Sequence, residues 1–145
     1  MLSNTSKYAV RAVIYLAANS TKTKRIGIKQ IAGELSIPTP FLGKILQSLA
    51  KHKLLTSTKG PNGGFGLGKE PSKIKLIDIV EIIEGKDIFN TCLLSNKDCD
   101  HDKSICPIHE KYADIRTQFY DLFKKTTLSG LMKDLKNNKA DNIIL

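Results

Sequence analysis

Apolar positions along the chain recur with a helical period at both ends and alternate briefly in the middle. Tyr8, Ala12, Val13 and Leu16 stand at i, i+4, i+5 and i+8. That is the stripe of an amphipathic helix beginning near Asn4 or Thr5 and ending before the polar run NSTKTKRIG. IKQIAGEL predicts a second, short helix with Ile31, Ala32 and Leu35 inward. In the SIPTP stretch that follows, Thr39 is a candidate N-cap and Pro40 occupies the first turn, where a helix tolerates proline best. A third helix is therefore expected from Pro40 to about Lys51, burying Leu42, Ile45, Leu46 and Leu49. Two helices joined by so tight a turn form a helix-turn-helix. The outward positions of the second are Thr39, Pro40, Phe41, Gly43, Lys44, Gln47, Ser48 and Lys51. Small, polar and cationic groups at that N-terminal end can reach base edges and phosphates in a major groove.

LLTSTKGPNGGFGLGKEPSKI sets two strand-like runs, LLTST and FGLGK, on either side of KGPNGG. Proline, asparagine and the following glycines permit a tight turn with positive φ, so the segment reads as a β-hairpin. A hairpin directly after a recognition helix is a wing. Lys59 and Gly60 at its tip place a cation on slim backbone suited to a minor groove. A phosphate-binding loop is set aside, because no helix follows the glycines directly and no Ser or Thr follows a GK pair.

LIDIVEIIEG places Leu76, Ile79, Val80 and Ile83 on one face and ends at Gly85 as a C-cap. Further on, Pro107 is expected to open a long helix reaching about Lys125. Its apolar residues Ile108, Tyr112, Ile115, Phe119 and Leu122 follow a four-three-four-three spacing, a heptad seam that a second copy of the chain would cover. Packing back onto the same chain is the alternative. A last helix is expected from Thr127 to about Leu135. The fold class is thus mainly α with a small β-hairpin wing: a winged helix-turn-helix domain plus a long dimerisation helix. The expected division is 1–85 for DNA binding, 86–107 for a cysteine-rich loop, and 108–145 for dimerisation and the tail.

Charge sharpens this picture. The formal net charge is +9, but residues 1–75 carry +11 and residues 76–145 carry −2. One strongly basic half beside a slightly acidic one is the mark of a polyanion-binding surface joined to something else. No basic segment leads into a long apolar run, and no window approaches the roughly 18 unbroken apolar residues of a membrane span. A soluble, cytosolic protein without a membrane partner is expected.

All three cysteines lie in CLLSNKDCDHDKSICPIH, residues 92 to 109. In a reducing cytosol clustered cysteines are ligands or redox groups rather than disulfides, and an odd number cannot all pair within one chain. Cys92, Cys99 and Cys106 are each separated by six residues, and His109 follows three after the last. The C-x-x-C knuckle of most structural zinc sites is missing. Three thiolates and one imidazole supply four ligands, and thiolates select iron–sulfur clusters, zinc or copper(I). His101 competes for the imidazole place. A thiol-only redox regulator and a zinc-bound one keep the same fold. An enzyme with Cys106 as nucleophile and His109 as base lacks an orienting partner, so no enzymatic activity is expected.

The order SKYAVRAVIYLA, helix-turn-helix, HKLLTSTKGPNGGFGLGKEPSKIKLIDIVEIIEG and three spaced cysteines before a long helix resembles the Rrf-two family of winged-helix transcriptional regulators. That family includes the iron–sulfur cluster assembly regulator, the nitric-oxide-sensing repressor and the cysteine-metabolism repressor. The resemblance covers about residues 1 to 132, and the KGPNGGFGLGK wing is its most specific part. It implies a homodimer that binds double-stranded DNA through its N-terminal domain, and two recognition helices related by a two-fold axis are expected to read a palindromic operator. It also implies an iron–sulfur cluster ligated by residues matching Cys92, Cys99 and Cys106. Lys7 stands where the nitric-oxide-sensing branch has an acidic ligand, whereas His109 matches the assembly-regulator branch. The implied cluster is therefore 2Fe-2S, with 4Fe-4S as the alternative, and an aerobic preparation can lose it.

Overall fold

A computed structural model describes residues 2–95, 98–99 and 106–137. In chain order the elements are α1 (Asn4–Asn19), α2 (Ile28–Leu35), α3 (Thr39–Lys51), β1 (Leu55–Thr58), β2 (Gly64–Leu67), α4 (Leu76–Glu84), α5 (His109–Lys125) and α6 (Leu128–Asn137). Short 3-10 turns stand at Pro71–Lys73 and Lys86–Phe89.

The helix-turn-helix forms where the apolar stripes place it. Ser3 caps α1 by accepting a hydrogen bond from the Ser6 N–H at 3.2 Å. α2 spans the expected residues, and Ser36 then turns the chain in the left-handed region, with φ 53°. Ile37 N–H donates back to the Ala32 carbonyl at 3.0 Å, which closes the turn. α3 starts one residue earlier than expected, because the Pro38 carbonyl accepts from both Phe41 and Leu42 N–H groups. Pro38 is thus the N-cap, and Thr39 is the first helical residue instead of the cap. The buried stripe of Leu42, Ile45, Leu46 and Leu49 is as expected.

β1 and β2 pair antiparallel with Leu55 opposite Leu67 and Thr58 opposite Gly64. On the other side of β2, Ile26 exchanges two backbone hydrogen bonds with Phe65, at 2.9 and 2.8 Å, and fastens the wing to the loop before α2. Gly64 sits at φ +142°, and a side chain there would run into the Ile26 carbonyl. The wing therefore needs glycine at that position for two reasons at once.

Two apolar clusters organise the rest. The larger one joins α1, α2, α3 and the wing with Ile79 of α4, and Leu128 of α6 reaches into it at 1% exposure. Leu76 N–H donates to Thr126 O and Leu128 N–H to Ile74 O, so the α5–α6 junction is stitched to the strand-like segment before α4. α6 begins one residue after its expected start, because Thr127 stays outside as a cap whose Oγ1 accepts from Gly130 N–H at 3.1 Å.

The smaller cluster is Ile77, Val80, Phe89 and Phe123, with Phe119 and Tyr120 against it. Phe89 is its hub, with ring centroids 5.7 Å from Phe119, 5.5 Å from Tyr120 and 5.8 Å from Phe123. This divides the expected heptad seam. Phe119 turns toward its own chain, whereas Ile115 and Leu122 stay 61% and 59% exposed. α5 begins at His109, two residues after Pro107, because the Cys106 carbonyl accepts from His109 N–H and closes a turn first. No helix among the described residues is long and apolar enough to cross a membrane.

Candidate functional site

α3 lies on α1 and α2 through its apolar stripe, and that packing decides which side chains point away. Pro40, Phe41, Lys44, Gln47 and Lys51 are exposed, and Thr39 is half-buried. Gly43 is half-buried too, not outward as expected. A side chain there would meet the Ile28 methyl at 3.3 Å, so Gly43 is a seat for α2. Phe41 is only 42% exposed because Tyr8 of α1 packs against it edge to face, with centroids 5.8 Å apart. Arg11 stacks on Tyr8 at 5.9 Å and donates to the Leu35 carbonyl at 2.9 Å. The N-terminal end of α3 is thereby held by α1 and the end of α2. His52 closes the other end, its Nδ1 lying 2.9 Å from the Ser48 carbonyl oxygen.

Lys59 and Gly60 lie exposed at the wing tip, and Gly60 takes φ +105°, which only glycine adopts readily. Lys44, Lys51 and Lys59 thus project from two neighbouring elements, α3 and the wing. A second group of cations, Lys22, Arg25, Lys69 and Lys73, lines a cleft at the wing base. These residues are scattered in sequence; the Ile26–Phe65 pairing and a 3.7 Å Lys22–Glu70 ion pair help bring them together.

The cysteine segment departs from α4 through the Lys86–Phe89 turn and rejoins the fold at α5. Cys99 N–H donates to the Asn90 carbonyl at 2.8 Å, which folds the loop back toward α4. Four donors then fall into two pairs. Cys92 Sγ lies 4.0 Å from Cys106 Sγ, and Cys99 Sγ lies 3.1 Å from His109 Nδ1. All four are half-buried. Among the described residues, no three His, Cys, Asp or Glu side chains converge on a single metal position. Hydrogen bonds from the Leu94 backbone and the Ser95 side chain hold the Cys92 thiol down, against the opposing effect of burial, at about 7 instead of 9.0. His101 lies outside the described residues.

A recognition helix capped by an aromatic pair, a glycine-tipped wing and a donor-rich loop before a long helix form one set. The Rrf2 family profile, described as that of an iron-dependent transcriptional regulator, matches residues 2–134. The chain belongs to the Rrf2 family. A protein of Aquifex aeolicus (strain VF5), named as an HTH-type transcriptional regulator, is 37% identical over 133 residues and matches across 91% of both chains. CymR, described as the global cysteine regulator of B. subtilis, superposes with a TM-score of 0.73 at 25% identity over 90% of this chain and 95% of its own. T. potens IscR has a similar fold, with a TM-score of 0.76 at 23% identity over 99% of this chain and 93% of its own. Members of the Rrf2 family are transcriptional regulators and not enzymes.

One feature of this Rrf2 chain escaped the sequence pattern. Ser6 is fully buried, and its Oγ donates to Glu84 Oε1 at 2.6 Å. The same oxygen accepts from the Ser3 N–H at 3.1 Å and from Ser3 Oγ. Partial burial raises the Glu84 pKa, but hydrogen bonds from Ser3 and Ser6 outweigh it and leave the carboxyl below its usual 4.5. Glu84 ends α4 at the entrance to the cysteine loop. It also lines, with Asp87, Cys92 and Tyr112, a cleft of about 350 Å³ beside that loop. The contact ties the loop entrance to the first turn of α1, two residues before Tyr8, which meets Phe41. The partners are 78 residues apart in sequence, so no local periodicity could have found them.

Proposed function

We propose that this chain is a homodimeric, DNA-binding transcriptional regulator whose operator binding is controlled by an iron–sulfur cluster held by Cys92, Cys99, Cys106 and His109. In this reading residues 1–85 bind DNA, 86–107 hold the cluster, and 108–145 dimerise. Thr39, Pro40, Phe41, Lys44, Gln47 and Lys51 enter the major groove, while Lys59 and Gly60 take the wing to the minor groove. A palindromic operator follows from the two-fold symmetry of a dimer. The exposed Ile115 and Leu122 support the dimer, since α5 keeps an apolar strip after Phe119 and Phe123 have packed inward.

The observation that carries the cluster reading is the partition of four donors into two pairs. Two thiolates on one tetrahedral metal with bonds of about 2.3 Å lie about 3.8 Å apart. Cys92 and Cys106 at 4.0 Å fit that edge without rearrangement. A 2Fe-2S cluster would take two protein ligands per iron, which the pairing of Cys92 with Cys106 and of Cys99 with His109 supplies in number; the 3.1 Å Cys99–His109 contact is a hydrogen bond that would have to open by about 0.5 Å on ligation. A lone zinc ion needs three or four donors around one point, which the described residues do not offer. A 4Fe-4S cluster also fits soft thiolates and needs its fourth ligand placed differently. The thiol-redox alternative has one observation in its favour, the Cys92 thiol held at about 7.

When bound, a cluster supplies a redox- and oxygen-sensitive cross-link between segments of the chain. The chain's own residues transmit its state. Cys106 and His109 sit at the start of α5, which packs on α4; α4 packs on α1, and α1 on α3. The Glu84–Ser6 and Tyr8–Phe41 contacts are the specific links in that series. Ligation biases the placement of the two recognition helices, and loss of the cluster removes the bias. Operator affinity measured for cluster-loaded, apo and Cys99→Ala protein tests the switch. Unequal affinities are expected, with the same salt-sensitive nonspecific binding in all three; equal operator affinities would remove the switch.

A further inference from the structure

The short approach of Cys92 to Cys106 has a chemical use that cluster ligation does not exhaust. Of the three cysteines, Cys99 is engaged by the His109 ring nitrogen at 3.1 Å, whereas the other two face each other at 4.0 Å with no bond between them. Both are half-buried, so a small oxidant can reach them. A disulfide needs an S–S distance of about 2.05 Å, so the sulfurs must close by about 2 Å. Leu93, Leu94 and Ser95, which follow Cys92, are exposed and belong to no helix or strand, so no core packing on that side opposes the closure.

We infer that Cys92 and Cys106 form an intrachain dithiol–disulfide couple in the cluster-free protein, with hydrogen peroxide or a comparable small peroxide as oxidant and Cys99 excluded from the bridge. The inference rests on the proposed ligand set only for its consequence, that oxidation removes two of the four donors and blocks reloading. The chemistry balances in two steps. Cys92 thiolate attacks one peroxide oxygen and breaks the O–O bond; the leaving hydroxide takes up a proton as water and Cys92 becomes a sulfenic acid. The Cys106 thiolate, its proton passed to solvent, then attacks the sulfenic sulfur, forms the S–S bond and expels hydroxide, which becomes the second water. Two thiols lose one electron each, and one peroxide gains both. A dithiol such as dithiothreitol reverses the bond by thiol–disulfide exchange.

Trypsin makes the test direct, because Lys86, Lys97, Lys103 and Lys111 place each cysteine in its own peptide: DIFNTCLLSNK, DCDHDK and SICPIHEK. Full-length apoprotein is reduced, desalted anaerobically, treated with one equivalent of peroxide per chain, alkylated, digested without reductant and analysed by mass spectrometry. The expected product links DIFNTCLLSNK to SICPIHEK within one chain, forms equally in Cys99→Ala, and is absent in Cys106→Ala, where dimedone instead traps a sulfenic acid on Cys92. A bridge involving Cys99, a bridge between chains, or over-oxidation of Cys92 without a bridge would overturn the inference. Iron uptake after reconstitution, measured on the same samples, separates this result from the cluster reading. A linked pair in protein that never takes up iron refutes the cluster alone; iron uptake without linkage refutes the couple alone. With both in place, oxidised protein loads iron only after dithiothreitol.

Discussion

Replacing Glu84 by alanine removes the one acceptor that the Ser3 N–H, Ser3 Oγ and Ser6 Oγ share. Ser6 has 0% exposure, so water does not take the place of the lost oxygen without a rearrangement of α1. A hydrogen bond to a charged group contributes about 1.5–3 kcal/mol net, and abandoning a buried donor costs about 1–3 kcal/mol. These two effects overlap, and Glu84 is itself half-exposed, where solvent weakens the charge term. About 2 kcal/mol is the resulting expectation. For a chain of this size, that corresponds to a Tm lower by about 6–8 °C. Far-UV circular dichroism melts at fixed protein concentration measure it, since association would otherwise move Tm. Glu84→Gln isolates the charge, because its amide oxygen still accepts. The folded carboxyl has a pKa below 4.5, so its charge-dependent stabilisation is complete above about that pH and lost as pH falls through the folded value. The gap between wild type and Glu84→Gln must therefore be present at neutral pH and close in acid. A Glu84→Ala melt within about 1 °C of wild type, or a Glu84→Gln gap that persists at the lowest pH, would refute the reasoning.

Phe89→Ala should empty the hub of the smaller cluster and cost about 3–5 kcal/mol in urea unfolding, with α5 the first element to lose amide protection in hydrogen exchange. Lys59→Ala and Lys44→Ala should each weaken binding to unrelated DNA sequences about equally and lower the slope of log K against log salt by about one, read by fluorescence anisotropy. Leu122→Lys, on the exposed strip of α5, should shift sedimentation toward the monomer while leaving the monomer's helical spectrum intact; an unchanged dimer would send the search for the interface to another face.

The winged domain was legible because its stripes are local. Ile31, Ala32 and Leu35 outline α2, and Leu42, Ile45, Leu46 and Leu49 the inner face of α3, without help from distant contacts. The wing followed from glycines whose φ values a hairpin turn requires. α5 was harder. Its four-three spacing reads as one seam, yet Phe119 sits about 40° around the helix from Ile115, and Phe89 draws it inward with Phe123. Which side of a seam turns to its own chain depends on a residue supplied by a short 3-10 turn, and that turn has no periodicity to read. Gly43 looked like an open position because glycine carries no burial signal; only the Ile28 methyl at 3.3 Å marks it as a contact. The clustering of the three cysteines was apparent from the sequence, whereas His109 was a candidate only through its place three residues after Cys106, with His101 as competitor. The sorting of the four donors into Cys92 with Cys106 and Cys99 with His109 depends on the Cys99–Asn90 backbone bond, which spacing does not encode.

The most direct test of cluster control is anaerobic purification followed by visible absorption together with iron, sulfide and zinc analysis. A brown protein holding about two iron and two sulfide per chain, with the ratio lost in Cys92→Ala and in His109→Ala, is the predicted result. A colourless protein that also stays colourless and iron-free after reconstitution would contradict it, leaving the DNA-binding face to be controlled by thiols or zinc.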